Sequence, residues 1–225
     1  VFIEEGAEVL YSHLNASKGP IYIGKNCLVM EVSTVRGPFG MGEGSVLKMG
    51  AKVYGATVLG PGCTIGGEVK NAMLFGNSNK GHEGYLGDSV IGEWCNLGAD
   101  TNNSNLKNNY GEVRLWNYEE ERFSKTGLQF CGLIMGDHSK CAINTMFNTG
   151  TVVGVAANIF GGGFTRNFVP SFSWGGASGY RSHQLDQAVT TARLVMQRKE
   201  LLFDKEDVKI FEHIFKVTDT YRNFK

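Results

Sequence analysis

From Ile23 to Ile65 every sixth residue is apolar: Ile23, Val29, Val35, Met41, Leu47, Val53, Leu59 and Ile65. An amphipathic helix repeats its apolar positions every 3.6 residues and a half-buried strand every two, so neither explains this period. A hexapeptide β-helix does, because each repeat supplies one short strand and one corner of a triangular coil. A second period interlocks with the first. Two positions before most anchors the residue is small, as at Cys27, Ser33, Ser45, Ala51, Thr57 and Cys63, with Ile21 and Phe39 as the exceptions. Near a tight corner an inward side chain has room only for such residues. The expected fold class is therefore all-β, a parallel β-helix.

The pattern organises the rest of the chain. Ile3 and Val9 form a short patch of repeat before a polar stretch around 11–20. After Ile65 two extra residues shift the phase, and Met73, Asn79, Tyr85, Ile91 and Leu97 are read as its continuation. The period is lost in the Asn-rich stretch 102–130, a long excursion of the kind that carries function or an interface. It returns at Met135, Cys141, Phe147, Val153 and Ile159, with Ser139, Thr145, Thr151 and Ala157 in the small slots. These repeats sum to about seven coils at three repeats per coil. Residues 1–170 are thus expected to form the β-helix and 171–225 a helical extension. Two helices are expected, over 184–199 and 204–217. Asp204 would cap the second, and Val208, Phe211, Ile214 and Phe215 would line its apolar face. Their expected place is over the open end of the solenoid, since solenoid ends need covering.

Composition narrows the function. Glycine makes up 31 of 225 residues, about twice the usual ~7%, which corners at every repeat explain. The 22 Lys and Arg balance the 22 Asp and Glu, so no chain-wide field draws nucleic acid or a membrane. A local basic pocket for a phosphate stays open. The five cysteines form no CxxC spacing, and Cys27, Cys63 and Cys95 fill small inward slots, which suits packing in a reducing, cytoplasmic setting. No leader and no membrane-length apolar run is visible, and no metal is expected. The chain opens at Val1 already inside a repeat, as a C-terminal piece of a longer protein would.

Among the five histidines His82 stands apart, flanked by glycines that permit close backbone approach and near Lys70, Lys80, Tyr85 and Asn96. A neutral imidazole beside a cation-lined pocket suits deprotonation of an amine. The stretch GEVKN, followed by KGHEGYLGDSVIGEWCNLGADT, closely resembles the acetyltransferase domain of the bifunctional N-acetylglucosamine-1-phosphate uridylyltransferase/glucosamine-1-phosphate acetyltransferase family. The match covers about residues 66–101, and the departures suggest a divergent branch.

That resemblance implies a left-handed parallel β-helix that forms a homotrimer with sites at subunit boundaries. It also implies acetyl transfer from acetyl-CoA to the amine of glucosamine 1-phosphate, on the route to UDP-N-acetylglucosamine. His82 matches the catalytic base. Lys70 and Tyr85 match residues that hold the sugar phosphate, and Asn96 matches a sugar contact. Asn105 falls where the family has an Asn near the reacting amine, although Leu106 follows it; Asn109–Tyr110 is a second candidate for that pair. Lys52 stands where the family has a phosphate-binding Arg, keeping the charge without the bidentate fork. Ile143 replaces a Ser on the thioester side. A non-catalytic β-helix that trimerises or regulates a nucleotidyltransferase is the alternative. Uridylyl transfer is not expected from this chain, which has no Gly-rich nucleotide loop and no βαβ pattern. A hexapeptide carbonic anhydrase is set aside because no His-x4-His spacing is present.

Overall fold

Each repeat closes one side of a triangle, so three faces run the length of the solenoid. The computed structural model describes residues 1–224, and the chain is the expected left-handed parallel β-helix. The first face holds nine parallel strands in coil order, from Phe2–Ile3 to Phe168–Val169. The second runs from Glu8–Val9 to Ser173–Gly176, and Gly179–Ser182 folds back antiparallel on its last strand. The third begins with His13–Asn15, Thr34–Arg36, Lys52–Tyr54, Glu68–Lys70 and Tyr85–Gly87 and continues in the pair Asn102–Asn103 and Met146–Phe147.

Nine strands on the first face mean nine coils, not about seven. The count runs short because several inward positions fall outside the six-residue period or carry no apolar residue. These are Leu14 in the first coil, Val69 in the fourth, Asn103 in the sixth, and Val169 and Gly175 in the ninth, where Gly175 stands beside the Ile159 anchor of the eighth. The phase change after Ile65 is also a shortening rather than an insertion. Val69 is fully buried only four residues after Ile65, because the corner between them is reduced to Gly66 and Gly67. Inward positions then fall at Leu74, Lys80 and Leu86, one residue later than Met73, Asn79 and Tyr85. From Ile91 onward the expected anchors are the buried ones.

The small slots do more than fit. Ser45 Oγ donates to the Gly60 carbonyl of the next coil at 2.9 Å and accepts the Cys63 N–H at 3.1 Å. Ser78 and Ser139 repeat the arrangement with Gly92 and Cys95, and with Gly154 and Ala157. Each serine thereby satisfies corner groups that the strand ladders leave over.

The excursion leaves the solenoid after Asn103 and returns by Leu133. Its hairpin, Arg114–Asn117 with Arg122–Lys125, lays Trp116 on Phe168 of the first face, with ring centroids 4.2 Å apart and 10° between planes. Two helices follow, α1 over Leu185–Gln197 and α2 over Lys205–Val217. Asp204 caps α2 as expected, and Asp207 completes a capping box.

The helices do not cover the open end. They lie along the edge between the first and second faces, where Phe203 and Phe211 pack with Ala156 and Phe172, and Lys199 reaches back to Asn77 at 3.1 Å. The reason lies in the left-handed residue at that corner of each coil. It is Gly6, Asn26, Gly44, Gly62 and Asn77 in the first five coils, then Trp94, His138, Ala156 and Phe172. The larger side chains make an apolar seam that the helices bury.

Candidate active site

The third face presents its outward residues in pairs, because side chains alternate along each strand. Lys52 and Tyr54 point out from one strand, Glu68 and Lys70 from the next, and Tyr85 from the third. Strand register sets Lys52, Glu68 and Tyr85 in one row and Tyr54 beside Lys70 in the other, with about 4.8 Å between neighbouring strands.

The corner 81–84 leads onto this face and carries His82, which is exposed. Glycine makes its close approach possible. A Cβ on Gly67, where φ is +67°, would meet His82 O at 2.8 Å, and one on Gly66 would meet Gly81 O at 2.8 Å. Glu83, next to His82, reaches Lys52 across 3.4 Å, which ties the corner to the charged row. Both partners are exposed, so this pair adds little to stability.

The two feet of the 102–130 excursion close one side. Leu106 bridges Phe130, and the Cys131 N–H donates to Asn105 O at 3.0 Å. These feet deliver two side chains to the face. Asn105 Nδ2 donates to Tyr85 Oη at 3.0 Å and to Asp88 Oδ2. The Lys70 ammonium sits 5.5 Å from the centre of the Phe130 ring. Burial, and then the negative charges of Asp88 and Glu68, raise the Tyr85 phenol above its ordinary value, so the hydroxyl stays protonated at neutral pH.

Lys52, Lys70, Tyr85 and Asn105 are thus gathered on one face beside the His82 corner. Asn96 is not among them. It stands on the second face, opposite Asn79, on the other side of the corner. Asn109–Tyr110 is placed in a turn of the excursion, where Asn109 Oδ1 accepts the Gly111 N–H at 3.0 Å. Asn102 and Asn103 are structural: Asn102 Oδ1 accepts the Tyr85 N–H, and the buried Asn103 amide exchanges two hydrogen bonds with the Gly87 backbone. Ile143 occupies a corner and is 66% exposed.

Three residues join the face without having been singled out in the sequence: Tyr54, Glu68 and Asp88. Tyr54 Oη donates to Glu68 Oε1 at 2.5 Å, and that bond pushes the Tyr54 phenol up to about 12. The signal was present in the alternation, since Tyr54 and Glu68 lie two positions from Lys52 and Lys70 on the same strands. Chemically the face sets two ammonium groups and a phenol, suited to a phosphate, beside carboxylates suited to an ammonium. The exposed imidazole of His82 is at its lip.

No protein-family model matches the chain, and no curated protein matches it. Solved structures that align with it include an Arabidopsis UDP-N-acetylglucosamine acyltransferase, at 13% identity over 88% of this chain and 80% of that one, with a TM-score of 0.36. Another is LpxA, a UDP-N-acetylglucosamine acyltransferase from Bacteroides fragilis, at 15% identity over 100% and 96% of the two chains, with a TM-score of 0.33. The polySia-specific acetyltransferase NeuO aligns at 10% identity over 77% and 82%, with a TM-score of 0.35.

Proposed function

We propose that this chain is an N-acetyltransferase that moves the acetyl group of acetyl-CoA to the amine of glucosamine 1-phosphate, on the route to UDP-N-acetylglucosamine. The observation that carries this reading is the grouping of Lys52, Lys70, Tyr85 and Asn105 on one face beside the His82 corner. The substrate is a zwitterion at neutral pH, and the face offers both signs of charge. Lys52 and Lys70 hold the phosphate, and Tyr85 donates a hydrogen bond to it. His82 takes a proton from the ammonium. The freed amine attacks the thioester carbonyl, the tetrahedral intermediate expels the CoA thiolate, and the thiolate is protonated on release. Asn105, held by Tyr85 and Asp88, orients the reacting amine. General base help is worth ~10²–10⁴-fold, and orientation supplies much of the rest.

The working unit is a homotrimer in the cytoplasm. Outward on the first face Tyr22, Val58, Met73 and Val90 form a half-exposed apolar row that suits a second copy. In the last coils the same face is covered by Trp116. A non-catalytic assembly role is the second reading, favoured by the apolar Ile143 where the resembled family has a Ser.

The test is release of free CoA thiol from acetyl-CoA with glucosamine 1-phosphate, beside a galactosamine 1-phosphate control and His82→Ala. Release that requires the amino sugar and falls by about 10²-fold or more in the variant is the expected result. Activity that survives the substitution removes His82 as the base. A folded trimer that releases no thiol with either sugar overturns the acetyltransferase in favour of the assembly role.

A further inference from the structure

Among the described residues, the interior of the solenoid holds one charged side chain in its anchor rows. Lys80 stands where the neighbouring coils place Ile65 and Leu97, and it is 1% exposed. Its ammonium donates to Gly66 O at 3.0 Å and to His82 O at 2.9 Å. These are the carbonyls of two stacked corners, the shortened corner 66–67 and the corner 81–84 above it. Among the described residues no other donor reaches either of them. An apolar residue would fill this slot at lower cost, because a buried ammonium must give up its water. The hydrogen bonds offset that cost only where the two carbonyls need holding.

We infer that Lys80 is a positioning residue: from inside the β-helix its ammonium pins the backbone of His82 to the preceding coil and so fixes the imidazole over the third face. The inference deepens the acetyltransferase reading and rests on His82 as its base. The pinning acts where the backbone has least support of its own. Gly67 and Gly84 both adopt positive φ, and Gly81, Gly84 and Gly66 carry no side chains to brace the loop. Lys80 touches neither face nor substrate, so its effect reaches the reaction through the place and motion of His82.

The experiment compares wild-type protein with Lys80→Met, which keeps the apolar stem as far as Cε but no donor, and Lys80→Gln, which is equally one bond short but keeps two N–H donors. Three quantities are read: the melting temperature, the kcat and KM for acetyl-CoA, and the His82 ring signal of protein labelled with ¹³C at histidine Cε1. Lys80→Met is expected to melt no lower than wild type. Its kcat should fall by about 10- to 100-fold with little change in KM, the scale of a misplaced catalytic group. The His82 signal should move or broaden, with partial recovery of signal and kcat in Lys80→Gln. An unchanged His82 signal in Lys80→Met overturns the inference. So does loss of fold in both variants, which would make the lysine a stability element alone. If wild-type protein transfers no acetyl group, the functional reading fails, and the His82 signal still decides the place of Lys80.

Discussion

The edge between the first and second faces is built in two ways. In coils one to five the left-handed corner position is filled by glycine or asparagine, the residues that adopt it at least cost. In coils six to nine the same backbone conformation is imposed on Trp94, His138, Ala156 and Phe172. These residues bear the local strain because α1 and α2 bury them. Phe172 meets Phe211 and Phe215 edge-on, and His138 lies against Trp94, Phe203 and Phe211. The first half of the edge is therefore stable through local backbone preference, the second through tertiary packing. A solenoid is nearly one-dimensional in its energetics, so the two halves should respond separately to perturbation.

The largest effect should come from removing the packing. Phe211→Ala is expected to cost about 3–5 kcal/mol, as for other buried aromatics. Hydrogen exchange would show the loss confined to coils six to nine and the helices, with the first coils still protected. Uniform loss of protection would refute the division.

Proton linkage separates the halves next. Burial, and then the Lys140 charge, push the His138 imidazole down to about 3, and burial also lowers His183. His138 must protonate on unfolding below the ordinary value near 6.5, so stability falls as the pH drops from ~6.5 towards 3, by up to about 1.4 kcal/mol per pH unit, and His183 acts in the same direction. Lys80, in the first half, has its ammonium pushed down to about 8, chiefly by burial. The unfolded chain there holds a proton that the folded chain has lost. Stability of that half should rise between pH 8 and ~10.4, by up to about 1.4 kcal/mol per unit, and Lys80→Met should flatten the rise. Melting curves across pH 4–10 read both windows.

The smallest effect tests the local half directly. Asn26→Ala places a methyl-bearing residue in the left-handed region with no helix to compensate, at a cost of about 1 kcal/mol in urea denaturation. Asn26→Gly should be close to neutral. An alanine as well tolerated there as Ala156 is in the eighth coil would mean that packing is not what holds the second half of the edge.

The hexad is readable in the runs 23–65, 91–97 and 135–159, and it fails at particular residues. Met73, Asn79 and Tyr85 keep the hexad spacing yet point outward, because the two-glycine corner at Gly66 and Gly67 removes residues without leaving an apolar mark. Lys80 gives no sequence sign of its interior place for the same reason and because a lysine is a surface residue by default. The site was legible as a set of chemical types, with His82, Lys52, Lys70 and Tyr85 all lying in or near repeats. Tyr54 and Glu68 were legible in principle, since alternation on the flanking strands points them the same way. Asp88, in the corner that follows Tyr85, had no such signal.

By itself the sequence determined the solenoid, its small slots, the capped helix α2 and the chemistry available near His82, because these depend on short-range period and side-chain size. Tertiary structure alone decided where the helices lie, that the feet of the excursion bring Asn105 and Phe130 to the third face, and that Asn96 stands on the second. Those outcomes depend on contacts between residues tens of positions apart, set by which surfaces remain apolar once the coils have closed.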